Sequence, residues 1–393
     1  MSTAGEFRAV TWLGLRSIPA RIGTSMVIVV GVAAVVAVLI SALSIATGFR
    51  RVAATTGSPS RAVVLSGTTE SASQLSREST VNVMSAPGVA VDASGQPVAS
   101  AETLAFVPVT DEHTGLNAFV TLRGVGPHAS LLRPEIRVIE GRTFSAGARE
   151  VIVGKAVQRR LGGLQVDSSI TLPGGDWSVV GVYESGGDAH ESEILADAES
   201  LLNAYQRNEF NSVTVMLDGV ASFDRFRSAL DSDPTLAVVA NREDIYYATE
   251  SRPVSMLLLT VAYGIGGIMA FGAIFGALNT MYSAVSTRAK EIATLRALGF
   301  GGAPVVASVL AEALALGLAG ALAGGFVTWL VLDGSTVSTM TGVTPSQLTF
   351  ALDVGVRLVA LGIALGATIA MVGGFFAALR AVRVPVASAM RMV

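Results

Sequence analysis

The chain has 393 residues, 51% of them hydrophobic and only 15% charged, with a mean hydropathy of +0.58. Averages of this kind fit a soluble globular protein poorly and fit several membrane spans plus one soluble domain well. The formal net charge of −3 gives no basis for nucleic-acid binding, and the absence of cysteine excludes disulfides and cysteine metal sites.

In chain order, residues 1–21 read as an interfacial arm carrying Arg8, Arg16 and Arg21. Residues 22–49 contain no charged side chain, and about 20 apolar residues suffice to cross the hydrocarbon core, so a first transmembrane helix is predicted. A signal peptide has an apolar stretch of only about 7–15 residues, which favours an uncleaved anchor. Residues 50–252 predict one large mixed α/β domain. Within it 61–68, 101–110, 118–123, 150–153 and 211–217 read as strands, and 72–84, 156–161 and 221–230 as helical. The stretches 169–172 and 177–184 flank Pro173-Gly174-Gly175-Asp176, a hairpin signal.

Residues 253–287 are again uncharged. At about 1.5 Å per residue they reach about 50 Å, beyond the roughly 30 Å core, so a second span extended by a stalk is predicted. A short charged segment, 288–302, follows. The third span is 303–332, interrupted only by Glu312; 333–357 reads as a short loop, 358–379 as the fourth span and 380–393 as a tail. Arg288, Lys290 and Arg296 lie between spans two and three, and Arg380, Arg383 and Arg391 in the tail, whereas 333–352 has no Lys or Arg. The positive-inside rule then places both termini and the 286–302 loop in the cytoplasm and 50–252 outside. The fold class is an α-helical membrane protein with four transmembrane helices plus one large mixed α/β extracytoplasmic domain between helices 1 and 2.

Gly272 and Gly276, Gly320 and Gly324, and Gly362 and Gly366 form G-x-x-x-G pairs. In lipid, close backbone approach is a main source of helix association, so these positions predict packing among the four spans, with a sliding dimer seam as the alternative. No catalytic or metal-binding set is predicted. His190-Glu191-Ser192-Glu193 lacks the second histidine of H-E-x-x-H, His113 and His128 stand apart, and the acidic cluster Asp188, Glu191, Glu193 and Asp197 reads as a solvated loop. Gly154-Lys155 is followed by Ala156 instead of Ser or Thr, so no P-loop is present and any ATP must be bound by another chain.

On a helix through 286–298, Ile292 and Leu295 share a face, Arg288 and Glu291 are spaced to pair, and Lys290 and Arg296 complete a charged surface. Gly299, Gly301 and Gly302 then let the chain turn. The detail exceeds what topology requires and predicts a surface that receives force from a cytoplasmic partner. Glu312 is the only acid well inside a span, where a charge costs about 3 kcal/mol or more. A structural hydrogen bond to Asn279 or Tyr282 is the expected remedy.

Asn279-Thr280-Met281, then Arg288, Glu291-Ile292 and Leu295-Arg296-Ala297-Leu298-Gly299, resemble the N-x-M and R-x-x-E-I-G-x-L-R-A-x-G run of the MacB/FtsX/LolCE-type (type VII) ABC permeases, with Ala293 where the family usually has Gly. Glu312 is similar to a glutamate these permeases often carry early in that helix. Arg137–Phe144 followed by Glu150–Gly154 resembles their external G-R and E-V-I-V-G segment, and Thr11–Arg21 their opening interfacial helix. The tail, Ala381–Arg391, resembles their P-x-x-A-L-R ending, departing by one extra residue after Pro385 and by Met390 in place of Leu. The resemblance implies the permease subunit of an ABC transporter in the bacterial inner membrane, not an enzyme. Its partners would be two copies of a cytoplasmic ATPase holding Mg-ATP, a second permease chain as homodimer or heterodimer, membrane lipids and, in some machines, a periplasmic membrane-fusion protein. Arg288, Glu291, Ile292, Leu295, Arg296 and Gly299 would dock on the ATPase, and its closure would move the external domain to export or extract a substrate from the periplasmic side. The alternative is an FtsX-like mechanotransmitter that activates a cell-wall hydrolase and transports nothing.

Overall fold

The computed structural model describes residues 11, 12, 16, 22–112, 114–297, 301–340 and 347–383. Apolar residues repeating at the helical period set the first long helix, α1 (Ile22–Thr55), which buries Ile28, Val32, Val35, Val36, Leu39, Ile40 and Leu43 along one stripe. Its opposite face is apolar too, with Val27 and Val30 56% and 57% exposed. There follow β1 (Arg61–Leu65), α2 (Arg77–Met84), β2 (Ala99–Thr110), β3 (Asn117–Val125), β4 (Arg137–Gly141), β5 (Glu150–Gly154), α3 (Lys155–Leu161), β6 (Ser169–Leu172) and β7 (Gly175–Glu184). Next come β8 (Glu193–Asp197), α4 (Ala198–Ala204), β9 (Ser212–Met216), α5 (Phe223–Asp231), β10 (Val239–Arg242) and α6 (Glu243–Glu250). The chain continues through α7 (Arg252–Thr287), α8 (Ala289–Ala297), α9 (Gly302–Leu332), β11 (Thr336–Met340), β12 (Gln347–Ala351) and α10 (Val356–Arg383).

These elements form two compact units. The helical unit draws its described residues from the chain up to Ala46, from Leu257–Ser335 and from Leu352 onward. Among the described residues four stretches are long and apolar enough to cross a membrane: Ile22–Thr55, Glu243–Thr287, Gly302–Leu332 and Val356–Val382. Their shared core gathers Val32, Val36, Ala277, Met281, Val309, Ala313, Leu316 and Ala377.

The second unit, Thr47–Met256 with Thr336–Ala351, is a mixed α/β domain. Its sheet has the strand order β10-β1-β9-β2-β3-β8-β5-β7-β4, with β6 on β7. β3–β8 and β5–β7 are parallel, and the remaining pairs are antiparallel. One core packs around Leu122, Val153, Leu161 and Trp177; another around Leu75, Leu202, Val213 and Phe226. The β6–β7 turn carries Pro173 followed by Gly174 at φ 86°, where a side chain would be strained. Asp197 starts α4 by accepting the Ser200 amide, the usual work of an N-cap.

The segment expected as a short loop, 333–357, instead holds the antiparallel β11–β12 hairpin, with Val337 opposite Phe350. It belongs to the sheet unit because Leu348 and Phe350 are buried there. The ring of Phe350 meets Phe49 edge-on at 6.2 Å, and the Ser192 hydroxyl accepts from the Thr349 amide at 3.0 Å.

Candidate functional site

Helix α8 turns one stripe inward. Arg288 just before it, then Ala289, Ile292, Ala293 and Arg296, recur at helical spacing and are buried or half-buried, whereas Lys290, Glu291 and Thr294 are exposed. Ile292 packs on the helical core, and Ala293, where the resembled motif has Gly, is 3% exposed, so this position admits only a small residue. Arg288 Nε reaches Glu291 at 3.2 Å, the pairing its spacing predicted, and Arg288 Nη1 reaches Glu312 of α9, also at 3.2 Å. Arg296 donates to the Val382 carbonyl of α10 at 2.9 Å, and the Arg380 guanidinium lies 5.1 Å from the centre of the Tyr282 ring.

Two expectations change. Of the four charged residues read as an outward surface, only Lys290 and Glu291 are exposed; Arg288 and Arg296 reach back into their own bundle. Glu312 is partnered by Arg288, not by Asn279 or Tyr282. A guanidinium compensates a nearly buried carboxylate far better than a neutral donor does, since hydrogen bonds between ions are the strong ones. Asn279 is exposed on α7, and its side chain has no partner among the described residues. Leu298 and Gly299 lie outside the described residues, as do most of the arm and the tail beyond Arg383.

The glycine pairs divide. A Cβ on Gly320 would come within 2.6 Å of the Val29 carbonyl oxygen, and one on Gly324 would collide with the Ala33 backbone. Gly362 faces Val36 and Ile40, and Gly366 faces Ala321, so both pairs bring α9 and α10 against α1 or each other. Gly317, Gly373 and Gly374 act in the same way and were not singled out by the G-x-x-x-G spacing. Gly272 and Gly276 meet nothing within 4 Å. They share a face of α7 with Asn279 and with Ile268 and Phe275, which are 77% and 57% exposed.

Comparison with known proteins gives the family. The family model for the MacB-like periplasmic core domain matches residues 24–233, and that for the FtsX-like permease C-terminal region matches 263–386. The chain belongs to the MacB/FtsX-type ABC permease family. It is thus a multi-pass membrane permease of an ABC transporter, in a family whose permeases are dimeric and whose ATPase lies in a partner subunit. Among solved structures it is similar to the extracellular domain of the noncanonical ABC-type transporter YknZ from Gram-positive bacteria. That match has 18% identity and a TM-score of 0.32, covering 39% of this chain and 79% of that one. It is also similar to the periplasmic region of MacB from Actinobacillus actinomycetemcomitans, at 12% identity and a TM-score of 0.37, covering 48% of this chain and 92% of that one. No curated protein matches the chain.

The core domain of this MacB/FtsX-type permease also holds a buried ionic network. Arg123 on β3 grips Glu193 through Nε and Nη2 at 2.8 and 2.9 Å, Glu102 at 2.8 Å and Glu70 at 3.1 Å. Arg133 bonds Glu102 at 2.5 Å and Glu243 at 3.3 Å, while Arg61 bonds Glu243, Glu135 at 2.6 Å and the Leu132 carbonyl at 2.9 Å. His190 Nδ1 lies 3.1 Å from Glu193, and the Tyr183 hydroxyl donates to the His190 and Glu193 carbonyls at 2.5 and 3.1 Å. Burial works against ionisation of Glu102, but Arg133 and Arg123 outweigh it and hold the carboxyl below the usual carboxylate range. Glu193 is depressed likewise by Arg123 and His190 against its burial. Burial opposes the charged form of His190, yet Glu193 raises its pKa above the usual imidazole value.

The stretch 188–197 is therefore not the solvated acidic loop expected from its composition. Asp188, His190 and Glu193 are 4%, 1% and 8% exposed, and Glu193 opens a central strand. The overlooked signal was the single charge inside each apolar strand, Glu102 in β2 and Arg123 in β3. A charge at the middle of a sheet is there because it is paired.

Proposed function

We propose that this permease couples ATP hydrolysis by a separate cytoplasmic ATPase to movement of its extracytoplasmic domain, and that the movement exports or extracts a substrate from the periplasmic side. The observation that carries this reading is α8, with Lys290 and Glu291 outward and Arg288 and Arg296 tied to α9 and α10. A short helix so fixed transmits displacement to two long helices at once. In this reading the four apolar helices are the spans, both termini are cytoplasmic, the ATPase holds Mg-ATP, and the Gly272–Gly276–Asn279 face of α7 receives a second permease chain. Apolar residues exposed on α7 beside that face, Ile268, Phe271 and Phe275, support the last assignment, since lipid or another helix must cover them.

The test is co-purification and ATP-driven transport with the cognate ATPase in nanodiscs. Glu291→Lys is expected to weaken ATPase binding at least about tenfold. Arg296→Ala should retain binding while losing transport, because it cuts the tie to α10 and leaves the outer face intact. Full transport by both variants would overturn the coupling role of α8.

A further inference from the structure

We propose that Arg380 of α10 and Tyr282 of α7 form a brace that fixes the angle between α7 and α8. The inference rests on the coupling role given to α8 above and names two positioning residues for it.

The join between α7 and α8 is a pivot. Thr287 ends the one helix and Ala289 begins the other, with only Arg288 between them. There the backbone tightens. The Arg288 amide bonds back three residues, to the Val285 carbonyl at 3.2 Å, before Ile292 resumes the four-residue pattern on the Arg288 carbonyl at 2.9 Å. A tightened turn inside a helical run is a frequent place for bending. Bending alone would let α8 swing without moving α7, and displacement received at Lys290 and Glu291 would be lost at the join.

Three side-chain contacts close a figure around this pivot. Arg288 Nη1 pins the pivot itself to Glu312 of α9 at 3.2 Å. Arg296, near the far end of α8, is tied to the Val382 carbonyl of α10 at 2.9 Å. On the same turn of α10 the guanidinium of Arg380 lies over the ring of Tyr282, 5.1 Å from its centre, and Tyr282 sits in the last turns of α7. The path from α7 through α8 to α10 thus returns to α7, and a triangle held at all three corners keeps its angles.

The other contacts at this end of α7 do not set a direction. Thr280, Ser286 and Thr287 spend their hydroxyls on carbonyls of their own helix. Ala277, Met281 and Val285 pack into the shared apolar core, where dispersion holds helices together without fixing their angle. The attraction of a guanidinium to an aromatic ring is strongest over the ring face, so it does carry a direction. Arg380 is exposed, so no crowding forces it onto the ring.

The experiment measures the angle as a distance. The absence of cysteine lets two spin labels be placed without background. Gly267, where a Cβ would meet nothing within 4 Å, and the exposed Lys290 lie on either side of the join. The full chain carrying Gly267→Cys and Lys290→Cys, diluted with unlabelled chain in nanodiscs, is read by double electron–electron resonance. Tyr282→Leu, which keeps an apolar contact, and Arg380→Gln are each expected to widen the distance distribution at least about twofold. Tyr282→Phe keeps the ring face and should leave the width as it is. Tyr282→Leu combined with Arg380→Gln should widen it no further than either alone, because both cut the same contact. An unchanged width in the single variants, widening by Tyr282→Phe, or additive widening in the double variant overturns the brace. The measurement needs no ATPase, so failure of the brace and failure of the coupling role are read separately.

Discussion

In the helical unit backbone meets backbone: Gly320 lies on the Val29 carbonyl and Gly324 on Ala33, with Glu312 the one carboxylate among the buried residues of α9. In the sheet unit three arginines and four glutamates, Glu70, Glu102, Glu193 and Glu243, are buried together, with Glu135 at their edge. The helices gain from dispersion over a close fit, which needs small residues and no particular direction. The network gains little net energy, because desolvating its ions offsets most of their attraction, but every member depends on the others. One interior tolerates a change of charge poorly at a single point; the other tolerates a change of volume poorly along a whole seam.

Breaking the network should have the largest effect. Arg123→Met leaves Glu70, Glu102 and Glu193 without their shared cation and should destabilise the sheet unit by about 3–5 kcal/mol, read from denaturant unfolding of the full chain. A loss below about 1 kcal/mol would show the network to be dispensable. Next, Glu312→Ala removes the bond from Arg288 and should cost about 1.5–3 kcal/mol, with Glu312→Gln milder because it keeps an acceptor. Gly324→Leu should cost about 1–3 kcal/mol by overpacking the α1–α9 seam, whereas Gly276→Leu should stay within about 0.5 kcal/mol and change only self-association in detergent. Equal destabilisation by the two leucines would erase the distinction between the packed and the open glycine pairs.

The smallest effect is on pH dependence. The pKa of His190 is raised in the fold, so its contribution is complete below about 6.5, the unfolded value, and is lost as pH rises through the folded one. Glu102 and Glu193 are depressed, so theirs is present above about 4.3 and is lost as pH falls through their folded values. The unfolding midpoint should therefore peak between those limits. His190→Asn should flatten the alkaline limb and leave the acid limb in place, and an unchanged alkaline limb would remove His190 from the account.

The long helices were legible because charge vanishes over 22–49 and 253–287, and strands such as β3 and β5 because apolar residues run between turn signals. The strands β8 and β11–β12 were not. Glu193 opens β8 with a charge whose partner, Arg123, is seventy positions away, and β11 is rich in Thr and Ser and becomes a strand by pairing with Gln347–Ala351. The same limit applies to the site. Arg288 with Glu291 could be read from a spacing of three, but Arg288 with Glu312 joins two helices and needed the fold. Gly320 and Gly272 look alike in sequence, and only the neighbouring backbone separates a seam from an open face.

Arg288 offers Nε to Glu291 on α8 and Nη1 to Glu312 on α9. The guanidinium holds both carboxylates at once, through different N–H groups. A partner cation that drew off the 66% exposed Glu291 side chain would leave Arg288 held by the 5% exposed Glu312. By linkage, whatever capture of Glu291 would do to the inner contact, a change in the inner contact would do in return to capture. One side chain thus spans from the exposed surface of α8 to the interior of α9.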